Sequence, residues 1–206
     1  MEATKILKTL YNVRNFVNPI VGKDLDALIL DLEAEARSKE QTVDERKQLA
    51  ALRRFGKQCA KEMRESLAGA FQRTVGGKER WCLCDGIVAV VFDNVDGIPR
   101  AAVSDSGLDM DKIISPAKYS GDCFNFPSYS DVKAAFDLAK AAHTGKAKDF
   151  KHETTLGNGA TVNTKKLLLF MEMLGIDGCE VCQDGIRKPI YANGNGVEGV
   201  LLPILK

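Results

Sequence analysis

The chain has 206 residues, of which 45% are hydrophobic and 28% charged, and its formal net charge is +1. This composition is typical of a globular protein with a sizeable core, and it excludes fibrous and disordered classes. The longest apolar runs, Ile87–Phe92 and Leu167–Phe170, are too short to cross a bilayer. The near-neutral net charge gives no sign of a partner that is strongly basic or strongly acidic.

The first 75 residues predict about three amphipathic helices. Apolar residues recur at spacings of three and four over Ile6–Val17, Leu25–Ala36 and Leu49–Ala70. The pair Asn18-Pro19 separates the first two helices, because proline disfavours helical backbone in the residue before it. Thr42 and Glu45 have the spacing of a capping box and open the third helix.

Residues 76–206 have a different character, with most of the glycines and a strand period. Asp85-Gly86 and the turn at Asn193–Gly196 predict hairpins. Strands are predicted at Arg80–Cys84, Ile87–Phe92, Gly178–Gln183, Lys188–Ala192 and Val197–Ile204, and helices at Val132–His143 and Lys165–Leu174. The sequence therefore predicts an α+β fold in two parts: a helical segment over residues 1–75 and a mostly antiparallel β module with two helices over residues 76–206.

Basic residues cluster on the third predicted helix. The candidates for contact with nucleic acid phosphates are Arg53, Arg54, Lys57, Lys61 and Arg64. The alternative is an ordinary solvated helix face, because Glu62 and Glu65 stand among these cations.

Four of the six cysteines form two close pairs, Cys82 with Cys84 and Cys179 with Cys182. Four thiols could ligate a zinc ion. However, the first pair has one intervening residue, and on a strand the members of the second pair point to opposite faces. Small buried cysteines explain the pattern equally simply. Because the chain starts without the apolar core of a signal peptide, we expect free thiols and a cytoplasmic protein.

No catalytic motif stands out. The chain has only two histidines, His143 and His152, and it lacks a nucleophile elbow, a zinc-protease motif and a phosphate-binding glycine loop. The acidic stretch that starts at Asp105 does not fit a calcium loop, because its glycine is misplaced and Pro116 occupies the twelfth position. We therefore expect a protein that is not an enzyme and that needs no cofactor.

The C-terminal part resembles the closing stretch of a bacterial DNA sliding clamp, the processivity subunit of the replicative polymerase. Over Thr161–Lys206 the resemblance rests on the helix Lys165–Leu174, the segment Lys188–Tyr191, a turn, and the terminal run Gly199–Leu205. Upstream, Trp81–Gly86 is similar to a clamp strand that ends in aspartate, and Phe126-Pro127 resembles the dipeptide before a clamp helix.

This resemblance implies a clamp-like module without catalysis, acting in DNA replication or repair. Its partners would be a DNA polymerase or other replication proteins and DNA, with no membrane. A hydrophobic groove would capture a short linear peptide, with Val200, Leu202, Pro203 and Ile204 at its wall. The alternative for these four residues is a simple buried strand.

The chain also departs from bacterial clamps. A bacterial clamp subunit has three modules and closes a ring from two chains, whereas this chain has room for roughly one module and a half. A ring would need more copies and hence a homo-oligomer; the alternative is that no ring forms and only the clamp module is retained. Small proteins of this kind would suit a phage or a mobile element. Two other hypotheses stay open: an interaction module in which the long third helix pairs with a partner helix or with itself, and a zinc-stabilised binding domain.

Overall fold

A computed structural model describes residues 2–14, 16, 25, 26, 28, 29, 31, 32, 43–62, 64–102, 107–118 and 123–205. In this part, five α-helices have defined bounds: α1 Glu2–Arg14, α2 Val43–Glu62, α3 Met110–Lys118, α4 Tyr129–Ala142 and α5 Thr164–Leu174. The described residues between 25 and 32 are also helical. None of the helices in these ranges has the length and apolar character that crossing a bilayer requires.

Within the described residues, nine strands form two sheets. The strands are β1 Phe71–Val75, β2 Lys78–Cys84, β3 Val88–Phe92, β4 Cys123–Asn125, β5 Glu153–Thr155, β6 Thr161–Asn163, β7 Glu180–Gln183, β8 Ile190–Gly194 and β9 Val197–Leu201. Seven of them build one sheet in the order β1-β2-β3-β9-β8-β7-β4, while β5 and β6 pair separately. Every neighbouring pair is antiparallel. The predicted α+β fold with an antiparallel sheet is confirmed.

The large sheet contains a structural repeat. A helix followed by three strands occurs twice, as α2-β1-β2-β3 and as α5-β7-β8-β9, and the last strands of the two units, β3 and β9, pair at the centre. The central pair approaches α5 closely at Gly199, where an added Cβ would lie 2.5 Å from the carbonyl oxygen of Ala89 and 3.1 Å from the ring of Phe170. No repeat of residue types marks the two units, because each position on a pleated strand accepts several apolar side chains.

The two faces of the sheet carry separate cores. On one face α2, α4 and α5 cover alternate strand residues such as Leu83, Val90 and Leu201. On the other face α3 covers the intervening residues, including Cys82, Val91 and Val200. Helices on both faces explain why β3 is buried at all five positions.

Helix α2 is shorter than predicted. The apolar spacing continues to Ala70, but the helix ends at Glu62, a short 3-10 turn follows, and Phe71–Val75 is a strand paired with β2. The apolar stripe of α2 contributes Leu52 and Cys59 to the core against the sheet. The hypothesis that this stripe pairs with a partner helix is therefore wrong, since the protein's own sheet occupies it.

The first strand begins at Phe71, ahead of residue 75, and α2 shares its core with the sheet. The division of the chain into parts 1–75 and 76–206 stays a prediction. The predicted break at Asn18-Pro19 and the capping residue Thr42 lie outside the described residues.

Two thiols in the core give the protein a stability that depends on pH. Burial raises the pKa of Cys59 and of Cys82 to about 12. The unfolded thiols ionise near pH 9, so both thiols stabilise the fold fully below that pH and lose this contribution as the pH rises towards 12. We expect the urea midpoint to fall between pH 9 and 10.5 and to fall less in the Cys59→Ala variant. If the urea midpoint falls equally steeply with pH in the wild type and in Cys59→Ala, the raised pKa of Cys59 does not contribute to the pH dependence of stability.

Candidate peptide groove and basic helical face

An apolar groove of about 470 Å³ lies on the α3 face of the sheet. Its floor is formed by β2, β3 and β9, and α3 forms one wall. The lining is mostly aliphatic: Ile87, Val88, Ala89, Leu108, Ile113, Pro116, Ala117, Pro189, Val200 and Leu202. A concave, largely apolar site of this size fits the side chains of a short peptide.

Two exposed aliphatic side chains stand at the edge of the groove. Ile87 is 41% exposed and Leu202 is 38% exposed. The backbone amide of Leu202 donates to the carbonyl oxygen of Ile87 at 2.8 Å, which carries the pairing of β3 with β9 one residue beyond β9. This bond fixes the two side chains beside each other, so the groove is largely formed before any partner arrives.

The charged residues of the lining all lie at the rim of the groove. Lys112, Lys188 and Asp184 are exposed there. Lys112 pairs with Asp109 at 3.1 Å. The backbone amide and the ammonium group of Lys112 donate to Asp109 and hold the pKa of that carboxyl below its usual value. With Asp109 counted, two lysines stand against two carboxylates at the rim, so the apolar anchors of a peptide would determine its binding more than its net charge.

The four residues predicted for the groove divide into two pairs. Val200 is buried in the floor and Leu202 stands at the edge, and both line the groove. Pro203 and Ile204 do not line it. The amide of Ile204 instead donates to the carbonyl oxygen of Thr161 at 2.7 Å, which ties the end of the chain to β6. The role of all four residues in peptide binding stays a prediction.

The β2–β3 turn beside the groove is held by an aspartate. Asp85 accepts hydrogen bonds from the amides of Ile87 at 2.9 Å and Val88 at 2.8 Å. Its other carboxylate oxygen pairs with Lys166 of α5, which also lies over the ring of Phe55. The Asp85 side chain is only 3% exposed. One carboxylate therefore shapes the turn and connects it to the helical layer.

A basic surface lies on the opposite side of the sheet. Helix α2 carries six basic residues, and its three acidic residues stand near its two ends. Lys57 and Lys61 are exposed and form no ion pair with any residue in the described ranges. Together with Arg54 of α2 and the exposed Lys165 of α5 they form what we call the basic face.

Of the other predicted phosphate-binding residues, Arg53 and Arg64 lie outside the basic face, and Arg54 within it is already paired. Arg53 is turned towards the loop after β3, where its Nε donates to the carbonyl oxygen of Asp96 at 3.4 Å. Arg54 pairs with Glu172 of α5. Arg64 is exposed in the turn that follows α2. Arg53 is thus committed to the fold, whereas Lys57 and Lys61 remain available to solvent.

The structure does not bring the four cysteines of the zinc hypothesis together. Cys82 and Cys84 are buried in β2, while Cys182 lies in β7 and Cys179 just before it. Strands β3, β9 and β8 separate β2 from β7, which corresponds to roughly 19 Å across the sheet. Within the described residues no three His, Cys, Asp or Glu side chains are grouped so that they could hold a metal ion.

Both histidines have structural contacts. The ring of His152 shares a hydrogen bond with the hydroxyl of Thr164 at 2.8 Å and packs edge-on against Phe136. His143 contacts the ring of Phe150. These contacts lie around α4 and the start of α5, away from the lining of the groove.

Sequence reasoning missed the groove residues Ile87, Ile113 and Pro116. The sequence predicts Ile87 as the first residue of a strand, and the only available signal for its exposure is its position directly after the Asp85-Gly86 turn. The wall was missed because α3 contains Pro116, which disfavours a helix assignment.

Comparison with known proteins supports the class of fold. No family model and no curated protein matches the chain. Among solved structures, it is similar to the DnaN sliding clamp (DNA polymerase III subunit beta) of Bartonella birtlesii bound to griselimycin, with 14% identity over 69% of this chain and 60% of that chain and a TM-score of 0.50. It is also similar to the Helicobacter pylori beta clamp bound to a DNA ligase peptide, with 15% identity over 63% and 41% of the two chains and a TM-score of 0.39.

The fold is therefore clamp-like, and the resemblance to bacterial sliding clamps is confirmed at the level of structure. At 14% identity the likeness establishes the fold alone. The match spans about 60% of the length of the Bartonella clamp.

Proposed function

We propose that this chain is a non-enzymatic, clamp-like accessory protein of DNA replication or repair. It holds a short linear peptide of a DNA polymerase or another replication protein in the groove beside β9, and it approaches DNA with the basic face. The observation that carries this proposal is an apolar groove on a clamp-like fold, bordered by the half-exposed side chains of Ile87 and Leu202.

The groove has the features that peptide capture requires. Its preformed aliphatic lining accepts leucine or phenylalanine anchors. A fluorescence polarisation titration with a labelled clamp-binding peptide of a bacterial polymerase tests this directly. We expect saturable binding and competition by unlabelled griselimycin, the ligand of the Bartonella clamp. A flat titration up to 500 µM protein, roughly the weak end of peptide recognition, would refute peptide capture.

The basic face is proposed to contact phosphates without reading sequence. It lies across the sheet from the groove, so one copy of the protein can hold a peptide and approach DNA at the same time. The exposed ammonium groups of Lys57 and Lys61 can each neutralise a phosphate, because no carboxylate in the described part of the chain pairs with them.

We expect the double variant Lys57→Glu/Lys61→Glu to weaken duplex binding and to reduce its salt dependence. Each lost phosphate contact lowers the slope of log K against log salt by about 0.9, so the slope should fall by about 2. The measurement is fluorescence anisotropy of a labelled 30-base-pair duplex, a length of roughly three helical turns, from 50 to 200 mM KCl, a range over which such contacts change affinity strongly.

The matched control is Lys112→Glu, which reverses an exposed lysine on the groove side of the sheet. This control should keep the wild-type slope. If the control and the double variant lose affinity equally, a general charge effect explains the result and the basic face is refuted as the DNA contact.

Self-association is part of the proposal. Because the match spans only part of a bacterial clamp chain, a closed ring would need several copies of this protein. Light scattering across a range of concentrations distinguishes an oligomer from a monomer, and a strict monomer at high concentration would exclude a ring.

A further inference from the structure

Two cysteines that the sequence did not connect face each other at one end of the large sheet. Cys123 of β4 is the direct register partner of Cys182 of β7, and their Sγ atoms lie 2.7 Å apart. Cys123 is exposed and Cys182 is half-buried, and both are free thiols. The hydrogen bond between them raises the pKa of Cys182 to about 11, as does the partial burial of its thiol.

The backbone places this pair where a disulfide fits. The amide of Phe126 donates to the carbonyl oxygen of Cys179 at 2.8 Å. Because hydrogen-bonded and non-hydrogen-bonded pairs alternate along antiparallel strands, Cys123 and Cys182 form a non-hydrogen-bonded pair, whose Cα atoms stand about 4.5 Å apart. That separation lies inside the range of about 4.4–6.8 Å that disulfides span.

The pair lies in the same row of the sheet as the groove. Successive register partners run from Cys182 to Tyr191, to Val200, to Ala89 and to Cys84. The last three line the groove, and α3, which forms its wall, packs on β7. Only residues 119–122 separate the end of α3 from the start of β4 at Cys123.

We propose that Cys123 and Cys182 form a redox-sensitive disulfide site that fastens the edge strand β4 to β7 and thereby stabilises α3 on the sheet. The oxidant is a low-molecular-weight disulfide such as oxidised glutathione. The thiolate of the more exposed Cys123 attacks it, forms a mixed disulfide and releases one glutathione thiolate. The thiolate of Cys182 then attacks the Cys123 sulfur and releases the second one. The two thiol protons pass to water, the two cysteines lose two electrons, and glutathione disulfide gains them.

Cys123 is the favoured entry point among the six cysteines. Cys59, Cys82 and Cys84 are buried, and burial raises the pKa of all three thiols. Cys179 is half-buried and stands just before β7. The register partner of Cys182 is thus the one exposed cysteine in the described ranges.

The test uses the wild-type protein, incubated with oxidised glutathione and then blocked with iodoacetamide. Peptide mapping is expected to find one intramolecular link, between Cys123 and Cys182, with the loss of two hydrogens. Glutathione that remains on Cys123, a link between Cys179 and Cys182, or no reaction would each overturn the proposal. The Cys179→Ser variant should give the same link as the wild type.

Two further measurements monitor how the disulfide changes the stability of the fold. The disulfide closes a loop between residues 59 positions apart, which corresponds to a rise in Tm of roughly 8–16 °C for a chain of this size. Hydrogen exchange of the amides in Met110–Lys118 should slow by at least roughly tenfold if α3 is held more firmly. Unchanged exchange in α3 in the oxidised protein would refute the coupling to the groove wall.

Discussion

The Asp85→Ala variant is expected to lose about 3–5 kcal/mol of the free energy of unfolding, the usual loss when one member of a buried ion pair is removed. Lys166 would then be left in the interior without its carboxylate, since its side chain is only 16% exposed. The amides of Ile87 and Val88 would also lose their acceptor in the β2–β3 turn. Urea unfolding followed by circular dichroism measures the loss, and Tm should fall by roughly 6–20 °C.

Two further variants separate the contributions. Asp85→Asn keeps an oxygen acceptor for the turn but removes the charge that Lys166 needs, so its stability should lie between those of the wild type and the alanine variant. Asp93→Ala removes a carboxylate that is 75% exposed and pairs with Arg80, and it should cost less than about 1 kcal/mol. If the Asp85 and Asp93 variants lose equal, small amounts of stability, the buried pair does not join the hairpin to α5.

The Leu202→Asp variant is expected to weaken peptide binding by at least about 30-fold while the fold is retained. Burying a leucine against an apolar anchor is worth about 1.5–3 kcal/mol, and the new carboxylate would have to be desolvated in the groove. The leucine is 38% exposed at the groove edge, so the substitution leaves the core intact. Fluorescence polarisation with the labelled polymerase peptide gives the affinity, and circular dichroism checks the fold.

The matched control for this variant is Leu205→Asp. Leu205 is 68% exposed, lies three residues further along the chain and does not line the groove. It should bind the peptide like the wild type. Loss of binding in both variants would point to a general effect of negative charge near the C-terminus, and retention in both would place the peptide elsewhere.

Much of the sheet and of its final helix could be predicted from the sequence, because the signals there are local. Asp85-Gly86 forms the predicted hairpin turn, with Gly86 at a φ of +84°. Asn163 caps α5 and Gly175 ends it in the left-handed conformation. Each of these features depends on side chains and backbone angles within a few residues, so a single sequence is enough to recognise them.

Other elements depended on contacts that are distant in the sequence. The segment Phe71–Val75 continues a helical spacing of apolar residues, but pairing with β2 makes it a strand. Helix α4 begins at Tyr129, earlier than the predicted start at Val132, and the amide of Tyr129 donates to the distant Asp177 carboxylate at 2.6 Å. Helix α3 contains a proline and is held by the sheet beneath it. Tertiary packing overrides local preference in such segments.

The candidate site likewise combines features that the sequence predicts with features that only the folded structure reveals. The resemblance to bacterial clamps implied that Val200, Leu202, Pro203 and Ile204 form a groove wall, and of these four only Val200 and Leu202 line the groove. The opposite wall, formed by Ile113 and Pro116 of α3, could not be assigned without the fold. The register that sets Cys123 against Cys182 is likewise a property of strand pairing across 59 positions, and spacing alone does not determine it.

The most direct test of the central claim is a nuclear magnetic resonance titration of the isotope-labelled protein with the polymerase peptide. If the groove between β9 and α3 captures the peptide, the amide and methyl signals of Ile87, Ile113 and Leu202 should shift first and saturate together. The signals of Lys57 and Lys61 on the basic face should stay in place. Shifts confined to α2, or no shifts at a peptide concentration of about 1 mM, a level at which even weak complexes form, would contradict peptide capture in the groove.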